Sequence, residues 1–323
     1  MNAAAEHAAY GAHAPEGGLS RVILVTRRTR LEELVARHNT LAQARFYLEH
    51  LGADFGDYLA ENEAYARSLR ITVQALQTWG RYQLLDRAML PNFVFGAGDI
   101  VVALGQDGLV ANTLKYLDGQ ALIGLNPEPS RWDGLLLPFE PQELGALLSD
   151  VAAARRPLKA VTLAEARMSD GQTLRAVNDL FIGPRTHTSA LYEISHGGVT
   201  EFQSSSGLIV STGMGSTAWM KSVMTGSLAI ARTAGMGGAG GYQPMAWDAP
   251  QLEYVVREPF PSRTSQAGLV HGHFGADEPL RIRSRMPDNG VIFSDGIEAD
   301  FLRFTAGMEV SISIAQQQGR LVA

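Results

Sequence analysis

The 323-residue chain has a formal net charge of −6, with 46% hydrophobic and 19% charged residues, the balance of a soluble globular protein long enough for two domains. It lacks the basic footprint that neutralises nucleic-acid phosphates, and its want of any cysteine excludes disulfides, thiolate catalysis and Cys-ligated zinc. No apolar run reaches the roughly 18–20 residues of a membrane helix, and residues 1–20 carry Glu6 and Glu16 but no Lys or Arg, unlike a signal or transit peptide, so the expected location is cytoplasmic.

The Ala-, Gly- and His-rich stretch 1–19 is expected to be a disordered tail. Residues 21–26 (RVILVT) form a short branched apolar run, the look of a buried strand. From Arg30 to about Leu90 the chain reads mainly as helix. There Tyr65, Leu69, Val73, Leu76 and Trp79 recur at helical spacing, as a core-facing stripe does. Pro91 should end that region. A second strand, 99–104, runs into Gly105-Gln106-Asp107-Gly108. Val110, Leu114 and Leu117 then mark one face of a helix, and 122–126 is a further strand closed by Pro127 and Pro129. Alternating strands and helices predict a parallel, Rossmann-like sheet in an α/β domain over 20–150. Beyond 150 short alternating strands dominate: 160–166, 176–182, 190–194, 208–211, 252–256, 280–285, 291–294 and 310–314. They predict a mainly antiparallel, β-rich domain over 151–305, with a glycine-rich loop at 234–241. Residues 306–323 form a C-terminal segment that could return to the first domain.

Three pieces carry chemistry. The turn 105–108 exposes backbone N–H groups at a helix start, where anions bind. An Asp inside it can hold Mg²⁺ or accept a proton from an attacking hydroxyl; a plain capping Asp would explain the turn equally well. Asn178-Asp179 interrupts an apolar run, and buried polar groups need partners. An amide beside a carboxylate suits a ribose diol, although an edge or turn pair is as good a reading. The third piece, SSSGLIVSTGMGSTAW (204–219), is a strand followed by glycines and hydroxyls that could cradle phosphate. Trp219 could stack on a base or fill core.

In this order and at these separations, the pieces resemble the NAD kinase family, which has a GGDG turn, an Asn followed by an acidic residue, and a strand leading to a GxGS-T-A-aromatic segment. The segments LIGLNPEPSRWDGLLLP (122–138), LFIGPRTHTSALYEIS (180–195), SSGLIVSTGMGSTAW (205–219), VVREP (255–259) and RIRSRMPDNGVIFSDG (281–296) are similar to its divergent mitochondrial branch. The likeness spans roughly 99–315. It implies a two-domain fold, an α/β Rossmann-like N-terminal domain plus a β-rich C-terminal domain, with the active site in the cleft between them. It implies ATP as donor, NAD as acceptor, Mg²⁺ carried by the ATP phosphates rather than by a protein metal site, and a homodimer or higher homo-oligomer. Asp107 would be the catalytic carboxylate, and Gly105, Gln106 and Gly108 would form the phosphate turn. Asn178 and Asp179 would hold a ribose of NAD, Thr217, Ala218 and Trp219 would contact the dinucleotide, and Asn126 would line the cleft. Gln106 stands where the family has a second glycine, Leu109 where it has Thr, and Ser206 where many bacterial members have Asp. A turn needing positive φ would strain Gln106.

Two other readings stay open: an NAD(P)-binding pseudokinase, and a kinase for another alcohol, lipid or sugar. The Asn-Asp pair argues against a lipid, which offers no diol. His271 and His273 share a strand face as a metal pair would, without an evident third ligand, and are expected to be a surface pair. Lys115, Lys221 and Arg257 read as solvated charges or ion pairs, and Arg155-Arg156 as a linker-edge charge pair.

Overall fold

The structure, a computed structural model, describes residues 20–236 and 240–323, the side chain of Ala299 excepted. The expected tail 1–19 and the middle of the glycine-rich loop (237–239) lie outside the described residues.

Strand β1 (Val22–Thr26) is buried along nearly its whole length, as a strand covered on both faces must be. Thr29 starts α1 (Arg30–His38) through a capping box with Glu32. Thr40 caps α2 (Leu41–His50) and Asp54 caps α3 (Phe55–Trp79). The region expected to be helical to about residue 90 is thus three helices, and it stops earlier. Gly80, at φ 103°, ends α3, and β2 (Tyr82–Asp86) follows. With one buried residue in five, that edge strand has little apolar pattern to announce it. Pro91 lies in a 3₁₀ turn, Arg87–Asn92, beyond the helix. Next come β3 (Ile100–Leu104), α4 (Asp107–Leu114), β4 (Ala121–Leu125), α5 (Leu144–Ala152) and β5 (Leu158–Val161).

The remaining elements are β6 (Ala164–Met168), β7 (Thr173–Ala176), β8 (Asp179–Pro184), β9 (Ala190–His196), β10 (Val199–Ser205), β11 (Leu208–Ser211), α6 (Trp219–Thr233), β12 (Leu252–Val256), β13 (His271–Phe274), β14 (Leu280–Ser284), β15 (Gly290–Ser294), β16 (Ile297–Arg303), β17 (Glu309–Ile314) and β18 (Gly319–Val322).

The first sheet has the order β2-β1-β3-β4-β18-β5 and is parallel except for β5. Period-2 alternation sorts its side chains. Val22, Leu24, Ile100, Val102 and Leu104 pack with Tyr65 and Leu76 of α3, against which Leu69, Val73 and Trp79 also rest. Ile23, Val25, Val101 and Ala103 pack on the other face with Leu109, Val110 and Leu114 of α4. Two antiparallel sheets, β10-β9-β14-β17-β6-β7 and β13-β12-β11-β8-β15-β16, enclose the second core, which holds Tyr192 and Ile194 from one and Leu180, Ile182 and Tyr254 from the other. The chain is therefore an α/β parallel-sheet part followed by a β-rich antiparallel part. Val177 and Met214 of the second part sit in the same core cluster as Leu109, Leu136 and Leu137 of the first, so one apolar block underlies both sides of the junction. Among the described residues no helix is long and apolar enough to cross a membrane.

Candidate active site

The turn after β3 is shaped by close approach. A Cβ on Gly105 would meet Leu109 Cδ2 at 2.9 Å and the Arg27 side chain at 3.4 Å, so a side chain there would have to displace Leu109 from beneath the turn. Gln106 takes φ −97° and ψ 163°, ordinary extended backbone. The strain expected for a side chain in the second turn position does not arise. Leu109 is 1% exposed and fills the core beneath the turn, and Gly108 is exposed with nothing within 4 Å of a Cβ there. Asp107 opens α4, half-buried, and its Oδ1 accepts the Leu136 N–H at 2.7 Å. Among the described residues its second oxygen takes no hydrogen bond, so one face of the carboxylate is anchored and the other is free.

Leu136 is placed by the loop that follows β4. A Cβ on Gly124 would lie 2.0 Å from Leu136 O, so the loop closes on bare backbone. Asn126 is 4% exposed, and both ends of its amide are used within the loop. Nδ2 donates to Trp132 O at 3.0 Å and Oδ1 accepts from Glu128 N at 3.0 Å. Its side chain shapes the wall that holds Asp107.

Asn178 and Asp179 do not lie within one strand. β7 ends at Ala176 and β8 begins at Asp179, so Asn178 sits in the joint, because its backbone is claimed from two sides. Its N–H donates to Asp295 Oδ1 at 2.7 Å, and its carbonyl accepts the Thr212 N–H at 2.9 Å. Asp295 also takes the N–H groups of Val177 (3.1 Å) and Asp179 (3.3 Å). Composition and pattern assigned Asp295 no role. Its signal is an acidic residue in the SDG turn of the β15–β16 hairpin, at φ 54°, which reads from sequence as ordinary turn chemistry. Burial raises the Asp295 carboxyl above its usual range, against the pull of the three amides. Asp179 is 5% exposed, and burial, followed by the Asp295 charge, pushes its carboxyl up to about 7. No hydrogen bond to that carboxyl is formed among the described residues.

The 212–219 segment rests on the same joint. The Thr212 hydroxyl donates to Val177 O, and the Gly215 N–H donates back to it at 3.2 Å. A Cβ on Gly215 would stand 2.0 Å from Asn178 O. Ser216 is fully buried, donating to Gly213 O at 2.6 Å and accepting from Met245 N at 2.9 Å. Thr217 and Ala218 are exposed. Trp219 stacks on Phe181 with centroids 5.9 Å apart, beneath the Arg257 guanidinium at 5.8 Å, so its ring belongs to the covered outer face of the third sheet.

α4 joins the halves. Asp107 stands at its N-terminus, and Lys115 follows its C-terminus, about 12 Å along at 1.5 Å per residue. The Lys115 side chain is 1% exposed, not solvated, and donates to Asp300 Oδ2 at 2.8 Å and Ser294 Oγ at 3.0 Å, on the hairpin that carries Asp295. The apolar block of Leu109, Leu136, Val177 and Met214 lies between these ends. The structure thus brings Asp107, Asn178, Asp179 and the 212–219 loop onto one foundation and uses Asn126 and Trp219 in packing.

His271 and His273 stand beside Glu253 of β12, at 2.8 and 3.8 Å, and Tyr242 donates to the same carboxylate at 2.6 Å. Burial would raise Glu253, but the bonds from His271 and Tyr242 hold it below its usual range. This is a hydrogen-bonded cluster around one carboxylate, and among the described residues no three His, Asp or Glu side chains are grouped to hold a metal.

No protein-family model matches the chain, and no curated protein does. Solved structures do, 135 chains of them. The crystal structure of yeast NADH kinase complexed with NADH superposes with a TM-score of 0.58 at 13% identity, covering 95% of this chain and 84% of that one. At that identity the likeness is one of fold: the chain has the two-domain fold seen in the NAD kinases.

Proposed function

We propose that this chain is an NAD kinase, transferring a phosphoryl group from ATP to the adenosine 2′-hydroxyl of NAD, and of the mitochondrial-type branch that its segments resemble. The observation that carries the reading is a half-free carboxylate, Asp107, at a helix N-terminus. It shares one apolar foundation with an unpartnered buried carboxylate, Asp179. The fold seen in yeast NADH kinase supports it.

In this reading Asp179 and Asn178 hold ribose hydroxyls. Asp107, fixed by Leu136, accepts the 2′-hydroxyl proton through its free oxygen. The 2′-oxygen bonds to the γ-phosphorus, the bond from that phosphorus to the bridging oxygen breaks, and ADP leaves with the electron pair. The N–H groups at the start of α4 face the phosphates and need no reorientation as charge shifts. In this reading Mg²⁺ would arrive held by the nucleotide's own phosphates, which leaves the open oxygen of Asp107 for the proton. When bound, that ion neutralises phosphate charge. Dimer or higher assembly and a cytoplasmic location belong to the same proposal.

The test is a coupled assay of purified protein with Mg-ATP and NAD. NADP should form, and Asp107→Asn should lower kcat by roughly 10²–10⁴-fold while the NAD dissociation constant stays within about twofold. NADP formation that persists in the variant removes Asp107 from the chemistry. NAD binding without turnover in the unmodified chain selects the pseudokinase, and phosphorylation of another alcohol instead of NAD selects the third reading.

A further inference from the structure

The first sheet changes its winding sense between two parallel neighbours, β1 and β3. The connection leaving β1 runs through α1, α2 and α3 to β2 on one side, and that leaving β3 runs through α4 to β4 on the other. In open α/β sheets the crevice beyond the carboxyl ends of such a strand pair is where ligands bind. Arg27 follows β1 and Gly105 follows β3.

The Arg27 side chain is only 8% exposed. Nη2 donates to Glu61 Oε1 at 3.1 Å, and Nη1 to Arg28 O at 3.0 Å. The Tyr65 ring lies 5.1 Å from the guanidinium carbon. Nε, however, is buried without any partner. It lies against the turn, since a Cβ on Gly105 would be 3.4 Å from it. A cavity of about 800 Å³, walled in part by Arg27, Leu31, Tyr65, Leu69 and Asp86, opens at the same end of β1.

An unpaired buried N–H on a cation costs free energy unless an acceptor completes it. Glu61 does not serve: its oxygens take Arg27 Nη2 and Arg30 Nε, and neither bonds Arg27 Nε. The group that would satisfy a guanidinium edge and the first N–H groups of a helix together is a phosphate. We propose that Arg27 is a ligand of the donor's polyphosphate chain, gripping it from the β1 side while the 105–108 turn holds it from the other. This rests on the kinase reading for the identity of the donor, but the binding it asserts can be measured without turnover. Glu61 and Tyr65 hold the guanidinium in place before any ligand arrives, so little side-chain entropy remains to be lost on binding.

The experiment is calorimetric titration of the full chain with ATP and, separately, with inorganic tripolyphosphate, in the absence of NAD. Both should bind. Arg27→Gln should weaken both at least tenfold and raise the ATP KM to match, with NAD affinity within twofold. Arg27→Lys keeps the charge beside Glu61 but lacks the Nε donor, and it should show most of the same loss, which guards against a folding defect in the first variant. Arg70→Gln, removing an exposed charge of α3 outside that cavity, should change either affinity less than threefold. Tighter binding of ATP than of tripolyphosphate adds the nucleoside to the 800 Å³ cavity; equal binding leaves the phosphate chain as the whole ligand, and both support the proposal. No polyphosphate binding, unchanged affinity in Arg27→Gln, or an equal loss in Arg70→Gln overturns it. NADP formation with an ATP KM indifferent to Arg27 sinks this inference alone. Arg27-dependent polyphosphate binding without NADP formation sinks the kinase reading alone.

Discussion

Asp179 is the residue whose situation most needs a reason. Its carboxyl is 5% exposed, lies beside Asp295, and is pushed up from 3.8 to about 7. A carboxyl raised in the folded state binds a proton there that the unfolded chain has already released. Between pH 3.8 and about 7 the native state therefore holds more protons, and stability falls as pH rises through that window and levels off above it. Asp295, also raised by burial, adds to the same slope. The loss on Asp179 can reach about 4 kcal/mol above pH 7, a cost that the packing of the apo protein does not explain. A ligand whose hydroxyls donate to the carboxylate does. Asp179→Asn should raise the melting temperature at pH 8, flatten its decline between pH 4 and 7, and weaken NAD binding at least tenfold. NAD binding to the unmodified chain should tighten as pH rises through about 7. A variant that is both less stable at pH 8 and undiminished in NAD affinity would show Asp179 to be a packing residue.

Among the elements, the sequence announced those with strong periodicity and hid those defined by contacts. β1 and β3, buried on both faces, are plain as branched apolar runs, and the Tyr65–Trp79 stripe is plain as a helix face. β2, an edge strand with Leu85 alone buried, carries no such pattern and reads as part of a helix. The same holds within the site. Asp107 announces itself between glycines, whereas Asp295 looks like any hairpin turn until its carboxylate is seen to collect three amides from a segment more than a hundred residues away. Asn126 reads as a cleft residue by resemblance, yet its amide is spent on the loop after β4. Asn126→Ala should leave Trp132 O and Glu128 N without those bonds, at about 1–3 kcal/mol. The loop would then hold Leu136, and so Asp107, less firmly. The expected result is a kcat reduced about tenfold or more with NAD affinity within twofold. A variant that instead loses NAD affinity at full kcat would return Asn126 to the ligand.

At the scale of the molecule, what couples the two parts is α4, packed into the first sheet along one side and cross-linked to the second part at its end. Lys115 is the cross-link. Its ammonium is 1% exposed and meets Asp300, 29% exposed, together with Ser294. A buried cation costs several kcal/mol unless paired, so the contact contributes relative orientation rather than large net stability. The short bond from Tyr116 to the same Asp300 oxygen makes that carboxylate a two-point anchor. Burial, then the Asp300 contact, holds the Tyr116 phenol proton on well above its usual range, which keeps Tyr116 the donor in that contact. Removing Lys115 leaves Tyr116 in place and isolates the ionic part. Lys115→Met and Asp300→Asn should each lower the melting temperature, and together they should lower it by less than the sum, with a coupling of about 0.5–3 kcal/mol, as for groups in contact. The functional consequence follows from the geometry. Asp107 rides on the N-terminal end of α4 and Asp179 hydrogen-bonds to the hairpin that Lys115 reaches, so a loosened cross-link should raise the NAD KM and lower kcat together. Strict additivity of the two substitutions, with both kinetic constants unchanged, would mean that the apolar block of Leu109, Leu136, Val177 and Met214 fixes the two parts without help from this ion pair.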